Sequence, residues 1–366
     1  MLLLENMQLV TKEDILGKKV LLRYDIDVAL GKGIGNRVQV TEDFKLKAGL
    51  ETLKLCLENG SKVIIIGHLG RPFATAEDEK KGNPSDLSAK PIKEWFEKEL
   101  GVEIDFVQTL DLAASSTSKI VLLENIRFFH GEVPGEEYHA TCTSKSCDTD
   151  FAQSLASLAD VYVNEAFSSH NKAASTTMVP KLLPHAAGIH FVKEVEVLLE
   201  VRNNPKKPFI AIMGGAKVKD KLPVIELLAK SADAVLVGGK LVHEIREQQV
   251  GLPKNVMVGK LNEDGFDLAS DTTSSWAFLI NKAAMIVWNG PLGKFEDPKY
   301  NQTEQVIKLV LGSQAEVVIG GGDSVAALSQ YGMLEEAEKK GFVSVGGGAM
   351  LKLLSDGTLP TIDALS

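Results

Sequence analysis

The chain has 366 residues, with 49 acidic side chains against 40 basic ones and a formal net charge of −9. Since domains typically contain about 100–200 residues, this length suggests two domains. The acidic balance argues against nucleic acid as the main partner, because phosphate backbones select basic surfaces. No apolar run approaches the roughly 18 residues that would span a bilayer, and the first residues lack the basic region of a signal peptide. We therefore expect a cytoplasmic protein without a membrane or nucleic-acid partner.

The chain contains three cysteines, Cys56, Cys142 and Cys147, which provide no disulfide framework. Cys142 and Cys147 lie close to His139 in a polar stretch, so a metal clip is one interpretation of this segment. Closed zinc sites use four ligands, and only three are local here. We favour a solvated loop with reduced thiols over a zinc site.

Short apolar β-branched runs recur along the chain, and a turn and a helical pattern follow each of them. Continuous runs of this kind are typical of strands buried on both faces, and their alternation with helices indicates parallel sheets. The first half contains four such runs, at 18–25, 61–68, 118–125 and 159–166. The second half contains six, at 208–215, 232–239, 255–259, 283–290, 315–322 and 341–348. Helices are predicted at 44–58, 91–100, 151–159 and 222–231.

A connecting helix is predicted between the two sets of strands. Residues 190–201 show helical periodicity, which stops before Asn203, Asn204 and Pro205. The predicted fold is α/β, with two doubly wound parallel-sheet (Rossmann-like) domains joined by a hinge helix. We expect an N-terminal domain, the hinge helix, a C-terminal domain, and a last segment that packs back toward the hinge and the N-terminal domain, at 1–186, 187–203, 204–350 and 351–366.

Polar side chains follow the predicted strands of the first half, and ligands of open α/β sheets bind outside the carboxyl ends of the strands. The set is mostly cationic and has few hydroxyl nucleophiles, so it suits a small polyanion. It comprises Asp25, Asp27, His68, Arg71, Arg127, His170 and Lys172. Four of the six arginines lie in the first 130 residues, namely Arg23, Arg37, Arg71 and Arg127. Arginine holds carboxylates and phosphates with a planar fork, which favours an anion site in this half.

The second half offers glycine-rich turns at the corresponding places. Glycine allows backbone N–H groups to approach phosphates, and a following helix N-terminus adds its dipole. The turn GGGDS at 320–324 opens a predicted helix, and Asp323 is suited to holding Mg²⁺. The chain has neither a Walker A loop nor a G-x-G-x-x-G turn after a strand. Each glycine turn taken alone is also compatible with a simple tight turn.

Seven segments together resemble the phosphoglycerate kinase family, in the order in which that family carries them. They are SKVIIIGHLGRP, IVLLENIRF with the downstream GE, DVYVNEAFSSH, PFIAIMGGAKVKDK, IVWNGPLGKFE, VVIGGGDSVAAL and SVGGGAMLKLL. The resemblance covers nearly the whole chain. It implies reversible phosphoryl transfer between 1,3-bisphosphoglycerate and ADP, giving 3-phosphoglycerate and ATP, by a monomer that uses Mg²⁺.

The resemblance also implies roles for individual residues. The N-terminal domain is expected to bind 3-phosphoglycerate through Asp25, Asp27, Arg37, His68, Arg71, Arg127, His170 and Lys172, with Arg37 pointing at the transferred phosphoryl group. The C-terminal domain is expected to bind Mg-ADP or Mg-ATP through Gly215, Lys217, Lys221, Gly239, Asn289, Pro291, Glu296, Gly321, Gly322, Asp323 and Ser324. In that set Glu296 takes the ribose hydroxyls, Asp323 ligates Mg²⁺ and Ser324 caps the phosphate-binding helix. The residues implied in catalysis are Arg37, Lys217, Lys221, Gly322 and Gly348.

The chain departs from the family pattern at four places. Asp27 stands where the family usually has Asn, and Gly67 replaces the usual Ser. Asn171 follows His170 where the family has Arg, and Lys172 is the proposed substitute for that missing charge. The segment from 237 to 259 is shorter than in the family, and DLASDT at 267–272 replaces D-I-G-P-x-T, which leaves the choice of base open.

Two alternative functions remain at this stage. DIDV at 25–28 and GGGDS resemble parts of a haloacid-dehalogenase-type phosphatase, although Ala326 and Ala327 stand where its second acid is expected. A degenerate kinase homologue that acts only as a binding protein is the other alternative, and the missing arginine motivates it. Phosphate release without nucleotide would indicate the phosphatase, whereas turnover with 3-phosphoglycerate and ATP would exclude the binding protein.

Overall fold

The computed structural model of the protein describes residues 7–33, 35, 37–73, 82–133 and 147–366, without the side chains of Cys147 and Asp220. The chain divides into two compact units. Unit 1 comprises Met1–Glu194 and Thr358–Ser366, and unit 2 comprises Val195–Gly357.

Unit 1 is built on a parallel sheet of six strands in the order β5-β6-β4-β1-β7-β8. These strands are β1 (Lys19–Arg23), β4 (Lys62–Ile66), β5 (Asp105–Val107), β6 (Ile120–Leu123), β7 (Val161–Asn164) and β8 (His185–Ala187). A separate antiparallel pair joins β2 (Leu30–Lys32) and β3 (Val38–Val40). In the large sheet, β1 pairs with β4 on one side and with β7, which comes later in the chain, on the other. The carboxyl end of β1 therefore lies at a topological switch point, where the direction of the strand order reverses.

The described part of unit 1 also contains helices, several of which pack on strands of this sheet. They are α1 (Lys12–Ile15), α2 (Phe44–Ala48), α3 (Leu50–Glu58), α4 (Lys90–Leu100), α5 (Leu110–Ser115), α6 (Cys147–Ala156) and, at the end of the chain, α15 (Pro360–Asp363). Single turns of other helix types occupy Ser85–Leu87, Ile126–Phe128, Ala174–Met178 and Val179–Lys181.

The predicted helix at 44–58 is two helices in the structure, α2 and α3, which meet at Gly49. A Cβ atom at Gly49 would lie 2.6 Å from the ring of Tyr24, so the close approach of that ring favours glycine at this position. The Tyr24 hydroxyl donates to the carbonyl of Leu46, which ties α2 to the chain just after β1.

Unit 2 repeats the architecture with a second parallel sheet of six strands, in the order β11-β10-β9-β12-β13-β14. These strands are β9 (Phe209–Met213), β10 (Ala234–Val237), β11 (Val256–Val258), β12 (Met285–Asn289), β13 (Glu316–Gly320) and β14 (Phe342–Ser344). Its helices are α8 (Val218–Ser231), α9 (Leu241–Glu247), α10 (Ser270–Lys282), α11 (Gln302–Gly312), α12 (Gly322–Gln330), α13 (Leu334–Lys340) and α14 (Gly347–Asp356). The switch point of this sheet lies between β9 and β12.

The predicted fold class is confirmed, since each unit holds a parallel six-stranded sheet with helices. The predicted connecting helix is present as α7 (Ile189–Asn203), and the division between the units falls within it, after Glu194. The segment that returns to unit 1 begins at Thr358 rather than at 351, because α14 belongs to unit 2. Among the described residues, no helix has the length and apolar character needed to cross a bilayer.

Candidate active site

A cavity of about 590 Å³ lies in unit 1, where residues that follow β1, β4 and β7 meet. It brings together Asp27, His68, Arg71, Arg127, His170 and Lys172, which are predicted site residues. Three arginines, Arg23, Arg71 and Arg127, line it together with two carboxylates, Asp27 and Glu132. The cavity therefore carries more cationic than anionic side chains and suits an anionic ligand.

The buried guanidinium of Arg23 fixes the state of His68. Arg23 is 1% exposed, and its Nη2 lies 2.8 Å from Nδ1 of His68. Burial and the neighbouring charges, those of Arg127 and Arg23 first, hold the pKa of His68 well below its usual value, so the ring is neutral. Since a guanidinium can only donate, Nδ1 accepts and the ring proton is on Nε2. His68 thus offers an N–H donor near the cavity instead of a positive charge.

The two carboxylates after β1 are held by different groups. Asp25 is buried and accepts from the hydroxyl of Ser168, whereas Asp27 is half-buried and accepts from the backbone N–H of Gly70 at 2.8 Å. Lys45 on α2 faces both of them, with its Nζ 3.8 Å from Asp25 Oδ1 and 4.0 Å from Asp27 Oδ2. Sequence reasoning missed Lys45, because it searched the ends of strands and this residue lies on a helix.

The structure does not bring Arg37 to this cavity. Its side chain is 72% exposed and forms an ion pair with Glu94. Both residues line a different cavity of about 770 Å³, which also includes Lys90 and Glu124. The structure thus places Arg37 away from the predicted acidic pair, and it places Lys45 next to that pair.

The remaining predicted residues of unit 1 line the rim and wall of the cavity. Arg71 and Lys172 are exposed, and Arg127 donates from Nη1 to the carbonyl of Gly70. His170 Nδ1 lies 2.9 Å from the carbonyl of Ser168. Asn171, at the position of the missing arginine, is also exposed at this rim next to Lys172. The cavity therefore has both fixed donors on its wall and long cations at its edge.

Unit 2 contains a cavity of about 350 Å³ at the carboxyl ends of β9, β10 and β12. Of the predicted nucleotide-binding residues, Gly215, Gly239, Pro291, Glu296 and Asp323 line it. The turns after these strands approach closely, since a Cβ atom at Gly239 would lie 2.8 Å from the carbonyl of Pro291 and 3.0 Å from the N of Gly215. Gly239 also has a φ of 67°, which favours glycine.

Lys221 lies under these turns. Its Nζ donates to the carbonyl of Gly214 and to Asn289 Oδ1, the latter at 3.1 Å. Burial lowers the pKa of Lys221 to about 8, and the carboxylate of Asp323 opposes that shift. Asn289 is thus a positioning partner of Lys221 in this structure. A cation held beside the glycine turns suits phosphate groups.

The first turn of α12 carries Gly322 and Asp323, and both residues are exposed. The predicted cap at Ser324 is not found: its hydroxyl accepts from the N–H of Gly290 at 2.8 Å, and the N-cap residue of α12 is Gly321, which makes no side-chain cap. The N-terminal N–H groups of α12 are consequently left for a ligand or solvent.

The described residues contain no group of three or more His, Cys, Asp or Glu side chains that could hold a metal ion by themselves. Two carboxylates, Asp323 and Glu296, line the cavity, and Mg²⁺ is commonly bound by one or two carboxylates together with substrate phosphates. The residues present therefore fit Mg²⁺ delivered with a nucleotide. The zinc interpretation requires His139, Cys142 and the side chain of Cys147, and these lie outside the described part of the chain.

Two further predicted catalytic residues, Lys217 and Gly348, lie in unit 2. Lys217 is exposed and precedes α8 in a left-handed conformation, with a φ of 68°, and Glu244 accepts from its N–H at 2.9 Å. Gly348 lies in the first turn of α14, and a Cβ atom at the adjacent Gly347 would lie 2.6 Å from Cα of Gly321. Sequence reasoning missed Glu244, which no strand-end pattern marks.

A double α/β architecture with a cationic cavity in one unit and a glycine-lined cavity in the other defines the class of protein: an enzyme that handles phosphorylated small molecules. Comparison of the sequence makes this more specific. The phosphoglycerate kinase family model matches residues 10–251 and 243–357. The chain belongs to the phosphoglycerate kinase family and is a kinase.

Individual relatives agree with this assignment. The chain is 32% identical to a phosphoglycerate kinase from Desulfovibrio desulfuricans over 96% of this chain and 97% of the relative. It is 33% identical to one from Dictyoglomus turgidum over 96% of each chain. A solved phosphoglycerate kinase structure from Coxiella burnetii matches with a TM-score of 0.75 and 26% identity over 98% of both chains. One from Pyrococcus horikoshii matches in fold, with a TM-score of 0.78 and 24% identity over 96% of both chains.

Proposed function

We propose that this protein transfers a phosphoryl group reversibly between the acyl phosphate of 1,3-bisphosphoglycerate and ADP. An oxygen of the ADP β-phosphate forms a bond to phosphorus, and the acyl oxygen leaves as the carboxylate of 3-phosphoglycerate. The observation that carries the proposal is the cavity of unit 1, where Arg71, Arg127 and Lys172 surround the N–H donor of His68. A three-carbon acid with a carboxylate and a phosphate needs several cations and fixed donors, which this cavity offers.

Unit 2 is the proposed site of the nucleotide. The N–H groups at the start of α12 and the ammonium of Lys221 would approach the phosphates, and Glu296 at the cavity would take the ribose hydroxyls. Asp323 would hold Mg²⁺, which neutralises phosphate charge when bound. Phosphoryl transfer of this kind requires positioning and positive charge more than a protein nucleophile. We further propose that the protein acts as a monomer in the cytoplasm and that α7 serves as its hinge.

The geometry gives little support to the phosphatase alternative. A phosphatase of that type would need a carboxylate after β1 as its nucleophile, but Asp25 is 4% exposed and accepts from Ser168. The family assignment also favours the kinase.

The direct experiment measures ADP formation with 3-phosphoglycerate and ATP, together with binding of each substrate alone by calorimetry. We expect saturable turnover and separate binding of both substrates. Binding of both without turnover would instead support the degenerate binding protein, and phosphate release in the absence of nucleotide would support the phosphatase.

A further inference from the structure

Lys217 adopts an unusual backbone conformation where α8 begins. Of the non-glycine residues in the described ranges, only Lys217 and Gln249 have a positive φ, at 68° and 50°. Gln249 follows the C-terminal end of α9, where a left-handed residue is common. Lys217 is instead the N-cap residue of α8, and N-cap residues usually have an extended backbone. The ordinary chemistry of helix ends therefore explains Gln249 but not Lys217.

The left-handed conformation of Lys217 favours glycine at this position. In this conformation the Cβ atom of an L-residue lies too close to the following carbonyl oxygen, whereas glycine has no Cβ atom. Non-glycine residues keep such a conformation only where the surrounding structure holds them, and they cluster at functional sites. Lys217 directly follows Gly215 and Ala216, which line the cavity of unit 2. A strained lysine next to this cavity indicates a use for its ammonium group.

The side chain of Glu244 on α9 holds the backbone of Lys217. Its Oε1 accepts from the N–H of Lys217 at 2.9 Å, and its Oε2 accepts from the N–H of Val218 at 2.8 Å. These N–H groups at the start of α8 have no partner within the helix, and the N-cap residue supplies no side-chain cap. The N–H groups of Val218 and Lys217 hold the pKa of Glu244 below its usual value, so this side chain is a carboxylate at neutral pH. A negative charge at a helix N-terminus also complements the helix dipole.

The helix that carries Glu244 is anchored to the turn that precedes Lys217. The N–H of Leu241, the first residue of α9, donates to the carbonyl of Gly215 at 3.1 Å. The apolar side chains of α9 are buried in unit 2. The Glu244 carboxylate therefore has a fixed position relative to the turn at Gly215, and it transmits that position to Lys217.

We propose that Glu244 is a positioning residue for phosphoryl transfer, which holds Lys217 in the left-handed conformation and thereby fixes its ammonium group next to the cavity of unit 2. The inference rests on the proposed function, since it assigns a task within the same reaction. Both carboxylate oxygens of Glu244 accept from the backbone, so it acts through Lys217 rather than on the nucleotide. A lysine charge that is placed for the transferred phosphoryl group acts mainly in the transition state, so its displacement lowers kcat more than it weakens substrate binding.

The experiment is a double-mutant cycle on the full chain, with kcat and both KM values measured for 3-phosphoglycerate and ATP, and with the denaturant midpoint of each variant. Glu244→Ala should lower kcat roughly 10-fold, because a displaced catalytic group loses much of its effect, and should change both KM values less than about twofold. In the Lys217→Ala background, the same substitution should change kcat less than about twofold, since no ammonium group is left to displace. The denaturant midpoint should fall equally in both backgrounds, because the contact at the start of α8 is lost in each.

Two variants guard against a general loss of structure. Glu247→Ala removes an exposed carboxylate from the same helix and should leave kcat and both KM values unchanged. Glu244→Gln keeps an oxygen that can accept from the backbone N–H groups, so it should retain more of the kcat than Glu244→Ala does. An equal loss of kcat in the parent and Lys217→Ala backgrounds, or no loss in the parent, would overturn this inference alone. A parent without turnover would overturn the proposed function with it.

Discussion

The ammonium group of Lys45 lies 4.0 Å from Oδ2 of Asp27, with its side chain 23% exposed. The same Nζ lies 3.8 Å from Oδ1 of Asp25, so two carboxylates hold this cation beside the cavity. At an effective dielectric near 20, unit charges about 4 Å apart interact by about 4 kcal/mol before screening and relaxation. Lys45 is therefore a cation held beside the predicted acidic pair, and the sequence analysis did not include it in the site.

Replacing Lys45 by Met should lower kcat/KM for 3-phosphoglycerate by about 100-fold, because one positioned charge commonly contributes about that much to transition-state stabilisation. Arg37→Met, which removes an exposed ion pair with Glu94, should change kcat/KM less than about threefold. Steady-state kinetics of both variants at saturating ATP tests this. The reverse pattern, with Arg37→Met impaired and Lys45→Met active, would support the sequence-based role of Arg37.

Asp27→Asn should tighten binding of 3-phosphoglycerate several-fold, and the gain should shrink at high salt. The Asp27 carboxylate lines a cavity proposed for a doubly anionic ligand and neutralises part of the Lys45 charge. Asparagine keeps the oxygen that accepts from Gly70, so the loop should stay in place. Calorimetric titration at low and high ionic strength provides the measurement, and Asp27→Ala, which also loses the Gly70 bond, is the control. Weaker binding of Asp27→Asn at both salt concentrations would show that the carboxylate is a required partner of Lys45 or His68.

Part of the site could be predicted from the sequence, because ligands of open α/β sheets bind outside the carboxyl ends of the strands. His68, Arg71, Arg127 and Lys172 were found because residues after parallel strands meet at one edge of a sheet. Arg23 received no role because it is the buried last residue of β1, and only the folded structure shows its contact with His68. Lys45 is presented by α2, whose position depends on packing against Tyr24 at Gly49. Lys45 does not follow a strand in the sequence, so a search of strand ends does not find it.

The neutral state of His68 predicts a pH dependence of stability. The pKa of this residue in the folded protein lies well below the value of about 6.5 expected in the unfolded chain. As pH falls below about 6.5 the unfolded chain takes up a proton that the folded protein does not, so the folded state loses stability. Denaturant unfolding of the parent and of His68→Gln from pH 8 to 5 should show a steeper loss in the parent.

The tautomer of His68 can be measured independently of stability. With Arg23 donating to Nδ1, nitrogen NMR should show an unprotonated Nδ1 and a protonated Nε2 at pH 7. The parent spectrum should remain that of a neutral ring at pH 6. An imidazolium signal at that pH would mean that the buried environment does not exclude the charge.

Lys221 should control both the activity and the alkaline stability of unit 2. Its pKa is lowered from 10.5 to about 8 by burial, so the folded protein releases this proton at lower pH than the unfolded chain does. The buried charge therefore opposes folding below about pH 8, by about 3 kcal/mol at most, and this penalty disappears as pH rises toward 10.5. The parent should gain stability relative to Lys221→Met across that interval, whatever the cost of losing the contacts with Gly214 and Asn289.

Lys221→Met should also lower kcat by about 100- to 1000-fold, because the Lys221 ammonium is proposed to stabilise the charge of the phosphates during transfer. The pH dependence of kcat/KM reports the pKa values of the free enzyme. In the parent, kcat/KM should therefore fall as pH rises through about 8, the pKa of Lys221. Lys221→Arg keeps its charge to higher pH, so that alkaline limb should move upward with whatever activity remains. An unchanged limb in Lys221→Arg would assign the titration to a different group.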